Sequence, residues 1–449
     1  MTGEGTPGGA PAPLPSGPMR VAHFSDTFLP RRDGVITSIR TLAGALAERG
    51  HENVLFTPGY PEATPVGFPV VGLPSVPCGV ADLRLATWPR ARQVARVASA
   101  APDLVHVHTP GPAGLLGVLA AQRLGLPLVQ TYHTDLHAYL EAYRIPTTVM
   151  RLIETAYRRR LGVEIRPARR PMRVVAGAWR SEQRSATRGG LLDAANSAFF
   201  GGTDVVVVPT GAVLRRSALP VAPDQVVRVP TGVGPRPVGE DAGPAFRSRH
   251  RIPAGAPLVL FVGRVNREKN VEGLLAAVSV LAVTLPDVRV ALVGAIYEQR
   301  WLNGLIRTYG LGDRVVTTGQ LTAASVAEAY AAADVFAFPS MTDTQGLVLQ
   351  EAALAGLPVV LADAVLNEHG PLAGAAVCAP GDGFPSALAA MLTDPDLAAR
   401  TAVACRTAAL KHTPDAYGAA IEAVYRRAVT TRRAVAPSGA RATQRTRAA

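Results

Sequence analysis

The chain has 449 residues, enough for two domains of about 200 residues each. Its three cysteines, Cys78, Cys378 and Cys405, are too few and too scattered for a disulfide framework or a cysteine-rich zinc site, and they fit a reducing compartment. No run of about 18 apolar residues offers a transmembrane helix, and a formal charge of +12 favours anionic partners such as nucleotides, phospholipid surfaces or, nonspecifically, nucleic acid, for which no binding motif is present.

Residues 1–18 are rich in Gly and Pro and lack an apolar core, which predicts a disordered leader rather than a signal peptide. Arg20 to Ser25 reads as the first strand. A polar loop follows, and Val35, Ile36, Ile39, Leu42 and Leu46 mark an amphipathic helix. Gly34 opens that helix, so its backbone can face a ligand. There is no G-x-G-x-x-G at this place, which argues against a dinucleotide site. Val54 to Thr57 is a second strand, and residues 58–90, rich in Pro and Gly, read as surface. Strands are predicted at Leu104–His108 and Leu128–His133, with a helix between them. His133 ends its strand and is a site candidate. His106 and His108 share one strand face. With no third ligand evident nearby, packing is the better reading of that pair than a metal.

Residues 144–188 carry twelve Arg against three acids, Glu154, Glu164 and Glu182. The helical part, Val149 to Leu161, ends on Arg158-Arg159-Arg160. The segment reads either as a surface for an anionic membrane, with Val149, Leu152, Ile153 and Ala156 adding apolar contact, or as a solvated insertion. Strands at Thr203–Val208 and Val226–Val229 close a first domain, 19–233, and residues 234–250 form a linker.

A second domain spans 251–413. Leu258 to Val262 is a buried strand, followed by Gly263-Arg264 and a helix opened by Lys269-Asn270. Arg264 and Lys269 flank one strand-to-helix loop and can converge on one anion. Val335 to Phe338 is another buried strand, and a polar loop with Gly346 leads into a helix bearing Leu347, Val348, Glu351 and Leu354. The loop lies at the carboxyl end of a strand, where open α/β sheets bind ligands. Gly346 admits close backbone approach, and the helix's first-turn N–H groups suit an anion. Asp343 and Glu351 are separated along this site, and Glu351 suits a pair of hydroxyls such as those of a ribose. Asp394-Pro395-Asp396 reads as a helix N-cap rather than a metal motif. Residues 414–430 are a helix crossing back to the first domain, and 431–449 a disordered basic tail.

Asp343-x7-Glu351 followed by Ala-Gly-Leu-Pro-Val, together with Gly263-Arg264…Glu268-Lys269-Asn270, resembles the signature of the family 4 retaining glycosyltransferases. The chain departs from that pattern in having Asp343 where Glu is usual. The resemblance covers about residues 19–430. It implies an α/β chain of GT-B fold, two Rossmann-like domains facing across a cleft. It implies transfer of a hexose from a nucleoside diphosphate sugar, with UDP-glucose favoured over GDP-mannose, and with no metal or cofactor. Arg264 and Lys269 would stabilise the leaving diphosphate. His133 and Asp343 would orient the sugar, and Glu351 would hold the ribose. Gly34, Leu321, Gly346, Leu347 and Val348 would complete the donor site. Ser25-Asp-Thr-Phe-Leu-Pro30, Thr131-Tyr-His-Thr134 and Thr342-Asp-Thr-Gln-Gly-Leu347 look most like the diacylglycerol glucosyltransferase branch, which implies a lipid acceptor and a cytoplasmic protein peripheral to the inner face of the plasma membrane. The alternatives are a soluble secondary-metabolite or sugar acceptor, and, from another class, a noncatalytic sugar-nucleotide-binding protein.

Overall fold

A computed structural model describes residues 17–61, 66–78, 84–133, 147–162 and 180–435. Two parallel sheets dominate. The first holds β1 (Arg20–Phe24), β2 (Glu52–Pro58), β3 (Val70–Leu73), β6 (Leu104–Val107), β7 (Leu128–Thr131), β8 (Val205–Val208) and β9 (Val226–Arg228), while β4 (Ser75–Pro77) and β5 (Arg84–Ala86) form a small antiparallel pair. The second holds β10 (Leu258–Val262), β11 (Arg289–Val293), β12 (Val315–Gly319), β13 (Val335–Phe338), β14 (Val359–Leu361) and β15 (Val377–Cys378).

The sheet orders are β3-β2-β1-β6-β7-β8-β9 and β12-β11-β10-β13-β14-β15. Both reverse direction beside their first strand, the switch point at which doubly wound sheets bind ligands. The strands are apolar on both faces because helices cover both. In β10, Leu258, Leu260 and Val262 enter one core, while Val259 and Phe261 enter the core on the opposite face. The alternation follows from the period of two along a strand.

Residues 58–90, read as surface from the sequence, contain three short strands, one of which extends the first sheet. Residues 242–249, within the expected linker, form a helix whose Phe246 is fully buried. Arg247 of that helix donates to Ala332 O at 2.8 Å. The last helix, Pro414–Val435, lays Tyr417, Ile421, Val424, Tyr425 and Ala428 into the core of the first sheet. Asp394 accepts from Leu397 N at 2.9 Å with Pro395 at the first helical position, so it is an N-cap. Among the described residues, no helix is long and apolar enough to cross a membrane.

Candidate active site

The loops after β1 and β6 face those after β10 and β13 across a cleft of about 1580 Å³. All ten residues singled out from the sequence line it: Gly34, His133, Arg264, Lys269, Leu321, Asp343, Gly346, Leu347, Val348 and Glu351.

Local chemistry positions each of them. Asp33 caps the first helix, Gly34–Glu48, by accepting from Ile36 N at 2.9 Å, and Thr27 Oγ1 donates to its other oxygen at 2.7 Å. Gly34 thereby sits at the helix start, facing Leu347 across the cleft; a Cβ there would lie 3.8 Å from Leu347 Cδ1. Asn270 caps the helix Val271–Thr284 and also donates to Pro339 O at 3.2 Å, tying the Lys269 loop to the end of β13. Gly346 caps the helix Leu347–Leu354 with φ of +70°, a left-handed conformation that disfavours a side chain.

The loop Ser340–Gly346 is held by the opposite domain. Thr344 Oγ1 donates to His133 O at 2.7 Å, Thr210 Oγ1 donates to Thr344 O at 2.5 Å, and Arg216 Nη1 donates to Asp343 O at 2.8 Å. Gln345 grips Thr231 through both main-chain groups, at 2.9 and 2.8 Å. Arg32 closes the other side, donating to Leu321 O at 2.7 Å. Such long-range bonds are invisible to sequence reading, because no local spacing links residues more than a hundred positions apart.

The charges are arranged as opposed pairs. Lys269 Nζ lies 2.8 Å from Asp343 Oδ1 and 3.6 Å from Glu268. Arg264 pairs with Glu268 at 3.1 Å. The two cations therefore do converge, but on Glu268, a residue the sequence reading left unassigned. Burial alone would push the Asp343 carboxyl up; the Lys269 ammonium, with Arg264 beyond it, outweighs burial and holds it below its ordinary value. The buried Ser340 hydroxyl lies beside the carboxylate and pulls in the same direction. Asp343 lines the cleft, and an ionised carboxylate there can accept from a donor such as a sugar hydroxyl.

Glu351 is mostly buried. It meets Arg236 at 3.3 Å and the Tyr330 hydroxyl at 3.1 Å. Burial raises its pKa, against the opposing pull of Arg236 and Tyr330. Both partners escaped the sequence reading. Arg236 lies in the expected linker, and Tyr330 is on a helix with no motif. If Glu351 holds ribose hydroxyls, Glu351→Ala is expected to weaken nucleotide binding roughly 10-fold or more, the value of a hydrogen-bonded charge, with a smaller effect on turnover. Calorimetric titration with UDP and with GDP measures this; unchanged affinity for both would remove Glu351 from the donor site.

His106 and His108 do have a third histidine nearby, contrary to the expectation from sequence. It is His23 on β1, and nitrogens of all three lie within 4.8 Å of one another. Register explains it: His23 is directly paired with His106 across the sheet. These nitrogens are engaged in hydrogen bonds. His23 Nδ1 is 3.0 Å from His108 Nε2, and His106 bonds Tyr425 OH and Thr131 Oγ1, both at 2.7 Å. The cluster is a buried polar network with its own partners. Thr134 and Asp135, at the end of the His133 strand, lie outside the described residues, as do residues 163–179 of the Arg-rich segment.

Comparison with known proteins agrees with this geometry. Residues 32–236 match the family model Glycosyltransferase Family 4, and residues 244–402 match Glycosyl transferases group 1. The chain is 29% identical over 394 residues to the GDP-mannose-dependent alpha-mannosyltransferase of Mycolicibacterium smegmatis, covering 84% of this chain and 88% of the relative. It is 28% identical over 356 residues to the alpha-monoglucosyldiacylglycerol synthase of Streptococcus pneumoniae, covering 76% and 70%. Among solved structures, sucrose-phosphate synthase from Thermosynechococcus elongatus superposes with a TM-score of 0.64 at 24% identity, over 91% of this chain and 98% of that one, which supports the fold. Two switch-point sheets, a shared cleft and these matches lead to one conclusion: the chain belongs to the family 4 glycosyltransferases of GT-B fold and is a nucleotide-sugar-dependent hexosyltransferase.

Proposed function

We propose that the protein transfers a hexose, with retention, from a nucleoside diphosphate sugar to a hydroxyl of a membrane lipid such as diacylglycerol, with UDP-glucose as the favoured donor. The observation that carries the transfer chemistry is the single cleft that gathers Arg264, Lys269, Asp343 and Glu351 from one domain with His133 and Gly34 from the other. In this reading Arg264 and Lys269 meet the charge that develops on the departing diphosphate, where preorganised cations act most strongly. The start of the helix Leu347–Leu354 adds a positive dipole end. Asp343 and His133 offer acceptors to the sugar. No side chain is needed as nucleophile if the leaving phosphate takes the acceptor's proton on the same face.

The lipid acceptor is supported by the similarity to the alpha-monoglucosyldiacylglycerol synthase of Streptococcus pneumoniae. The name of the Mycolicibacterium smegmatis relative favours a second reading, a GDP-mannose donor with a different acceptor. A mass-spectrometric screen of UDP-glucose and GDP-mannose against diacylglycerol, a lipid extract and soluble sugars decides between them. Product formed only on soluble acceptors would overturn the lipid reading, and no transfer with any pair would leave a sugar-nucleotide-binding protein.

Membrane attachment is proposed through the Arg-rich segment. The structure redistributes the expected basic triplet at the end of the helix Thr147–Leu161. Arg158 is spent on an ion pair with Glu154 at 2.5 Å, whereas Arg159 and Arg160 are exposed. Tyr157 and Leu161 pack against the first sheet's core. The side chains of Val149, Leu152 and Ile153 lie outside the described residues. Each basic residue near an anionic bilayer contributes about 1 kcal/mol, within a screening length of about 10 Å at 0.1 M salt. Arg159→Ser with Arg160→Ser is therefore expected to weaken sedimentation with anionic vesicles several-fold at low salt, and added salt to do the same. A wild-type protein that ignores anionic vesicles at low salt would remove the physical support for a lipid acceptor.

A further inference from the structure

A line of imidazoles runs from the cleft into the first sheet, anchored on Asn53. Asn53 Nδ2 donates to Ala43 O at 3.1 Å. A carbonyl only accepts, so the amide is oriented with Oδ1 toward His23 Nε2, 3.0 Å away. An amide oxygen also only accepts, so His23 carries its proton on Nε2. Burial keeps the rings neutral: His23 and His133 are lowered to about 4, and His108 lies well below its ordinary value. A neutral ring has one N–H, so His23 Nδ1 is a lone pair and must accept from His108 Nε2 at 3.0 Å. His108 Nδ1 is then a lone pair too, and accepts from His133 Nε2 at 3.1 Å. His133, whose ring stacks on His108 with centroids 5.4 Å apart, is left with a bare Nδ1. His133 lines the cleft, and no described residue bonds this nitrogen.

His106 does not disturb this order. Its two partners, Tyr425 OH and Thr131 Oγ1, are hydroxyls that serve either tautomer. Nor does the line carry protons away, because it ends on an amide oxygen, which is not basic. Its effect is to fix orientation.

We propose that Asn53, His23 and His108 are positioning residues that lock His133 in its Nε2–H tautomer, so that the cleft presents an acceptor-only nitrogen and selects a ligand bearing a hydroxyl at that point. This inference rests on reading the cleft as a nucleotide-sugar site. A neutral acceptor rewards an O–H donor and offers no positive charge to a carboxylate. The sugar it selects is a neutral hexose rather than a hexuronate. A buried acceptor left without its donor is where such sites gain discrimination.

The test uses the full chain labelled with ¹⁵N-histidine. Imidazole nitrogen shifts and long-range couplings separate Nε2–H from Nδ1–H, and His133→Gln and His108→Gln assign the signals. His23, His108 and His133 are all expected as Nε2–H at neutral pH. Asn53→Leu removes the anchor and is expected to mix the His133 tautomers, while Asn53→Asp restores an acceptor and the Nε2–H form. In transfer assays with UDP-glucose, Asn53→Leu is expected to lower kcat/KM roughly 10-fold, the scale of one hydrogen bond, with recovery in Asn53→Asp. UDP-glucuronate is expected to be a poorer donor than UDP-glucose for the wild type. An Nδ1–H signal for His133 in the wild type, or an unchanged His133 tautomer in a folded Asn53→Leu, overturns the lock. Transfer from UDP-glucuronate equal to that from UDP-glucose overturns the selection. Absence of transfer from every donor overturns the reading of the site, and the wild-type spectrum still decides the tautomer.

Discussion

Lys269→Ala is expected to lower turnover by roughly 10²–10³, the cost of removing one preorganised group that meets developing charge. Arg264→Ala is expected to act in the same direction. The structure gives the lysine a second duty. Its ammonium, 2.8 Å from Asp343 Oδ1, is what keeps a buried carboxyl ionised. Without it, desolvation dominates and Asp343 moves up, toward a protonated form that accepts poorly. Arg264 stands further from Asp343 in this arrangement and pairs with Glu268 instead. The lysine variant is therefore expected to lose more than the arginine variant. It should also be the one whose residual activity rises with pH, because the folded-state pKa of Asp343 is raised and the carboxylate returns above it. Steady-state kinetics over a pH series, with nucleotide affinity measured separately, checks this. Near-normal turnover in both variants would sink the diphosphate assignment.

Asp343→Ala is expected to cost about 10² in turnover while leaving the fold intact. The loop does not depend on this side chain. Its backbone is held by Arg216 at Asp343 O, and the neighbouring residues are held by Thr210 at Thr344 O and by the Gln345 clasp on Thr231. The carboxylate instead joins Lys269 through Oδ1 and lines the cleft. Asp343→Asn keeps the shape but removes the charge that anchors Lys269, so it should fall nearly as far as Asp343→Ala. Asp343→Glu lengthens the side chain by one methylene and retains the charge, so it should keep most of the activity. Initial rates with UDP-glucose and thermal unfolding of the same variants separate chemistry from stability. An unchanged rate in Asp343→Ala would show that the sugar is held elsewhere.

The parallel α/β layout and the main loops of the cleft were legible in the residues because both are written in local patterns, and the glycosyltransferase architecture followed from the resemblance those patterns carry. Buried parallel strands appear as unbroken apolar runs such as Leu258–Val262 and Val335–Phe338, and the loops that follow them carry the glycines, carboxylates and cations at fixed short spacings. A strand that ends where a polar loop begins determines that the loop sits at the sheet's carboxyl edge. That is enough to bring Arg264, Lys269, Asp343 and Glu351 to one place. Other parts were not legible for identifiable reasons. The strands at Val70–Leu73, Ser75–Pro77 and Arg84–Ala86 are three or four residues long and lie among Pro and Gly, which edge strands tolerate and propensity does not flag. The helix Arg180–Phe200 mixes Arg, Ser and Gly without a clear apolar stripe. Partnerships lay further beyond reach. Glu268 between the two cations, Arg236 on Glu351, Arg32 on Leu321 O and Asn53 behind His23 join residues by where the sheets bring them, not by their spacing along the chain. Motif spacing, together with the family resemblance it carries, indicated which groups would reach the cleft. Packing of the two sheets decided which of them are paired and which side chains of the opposite domain hold them, because those depend on distances of a few ångströms between segments far apart in sequence.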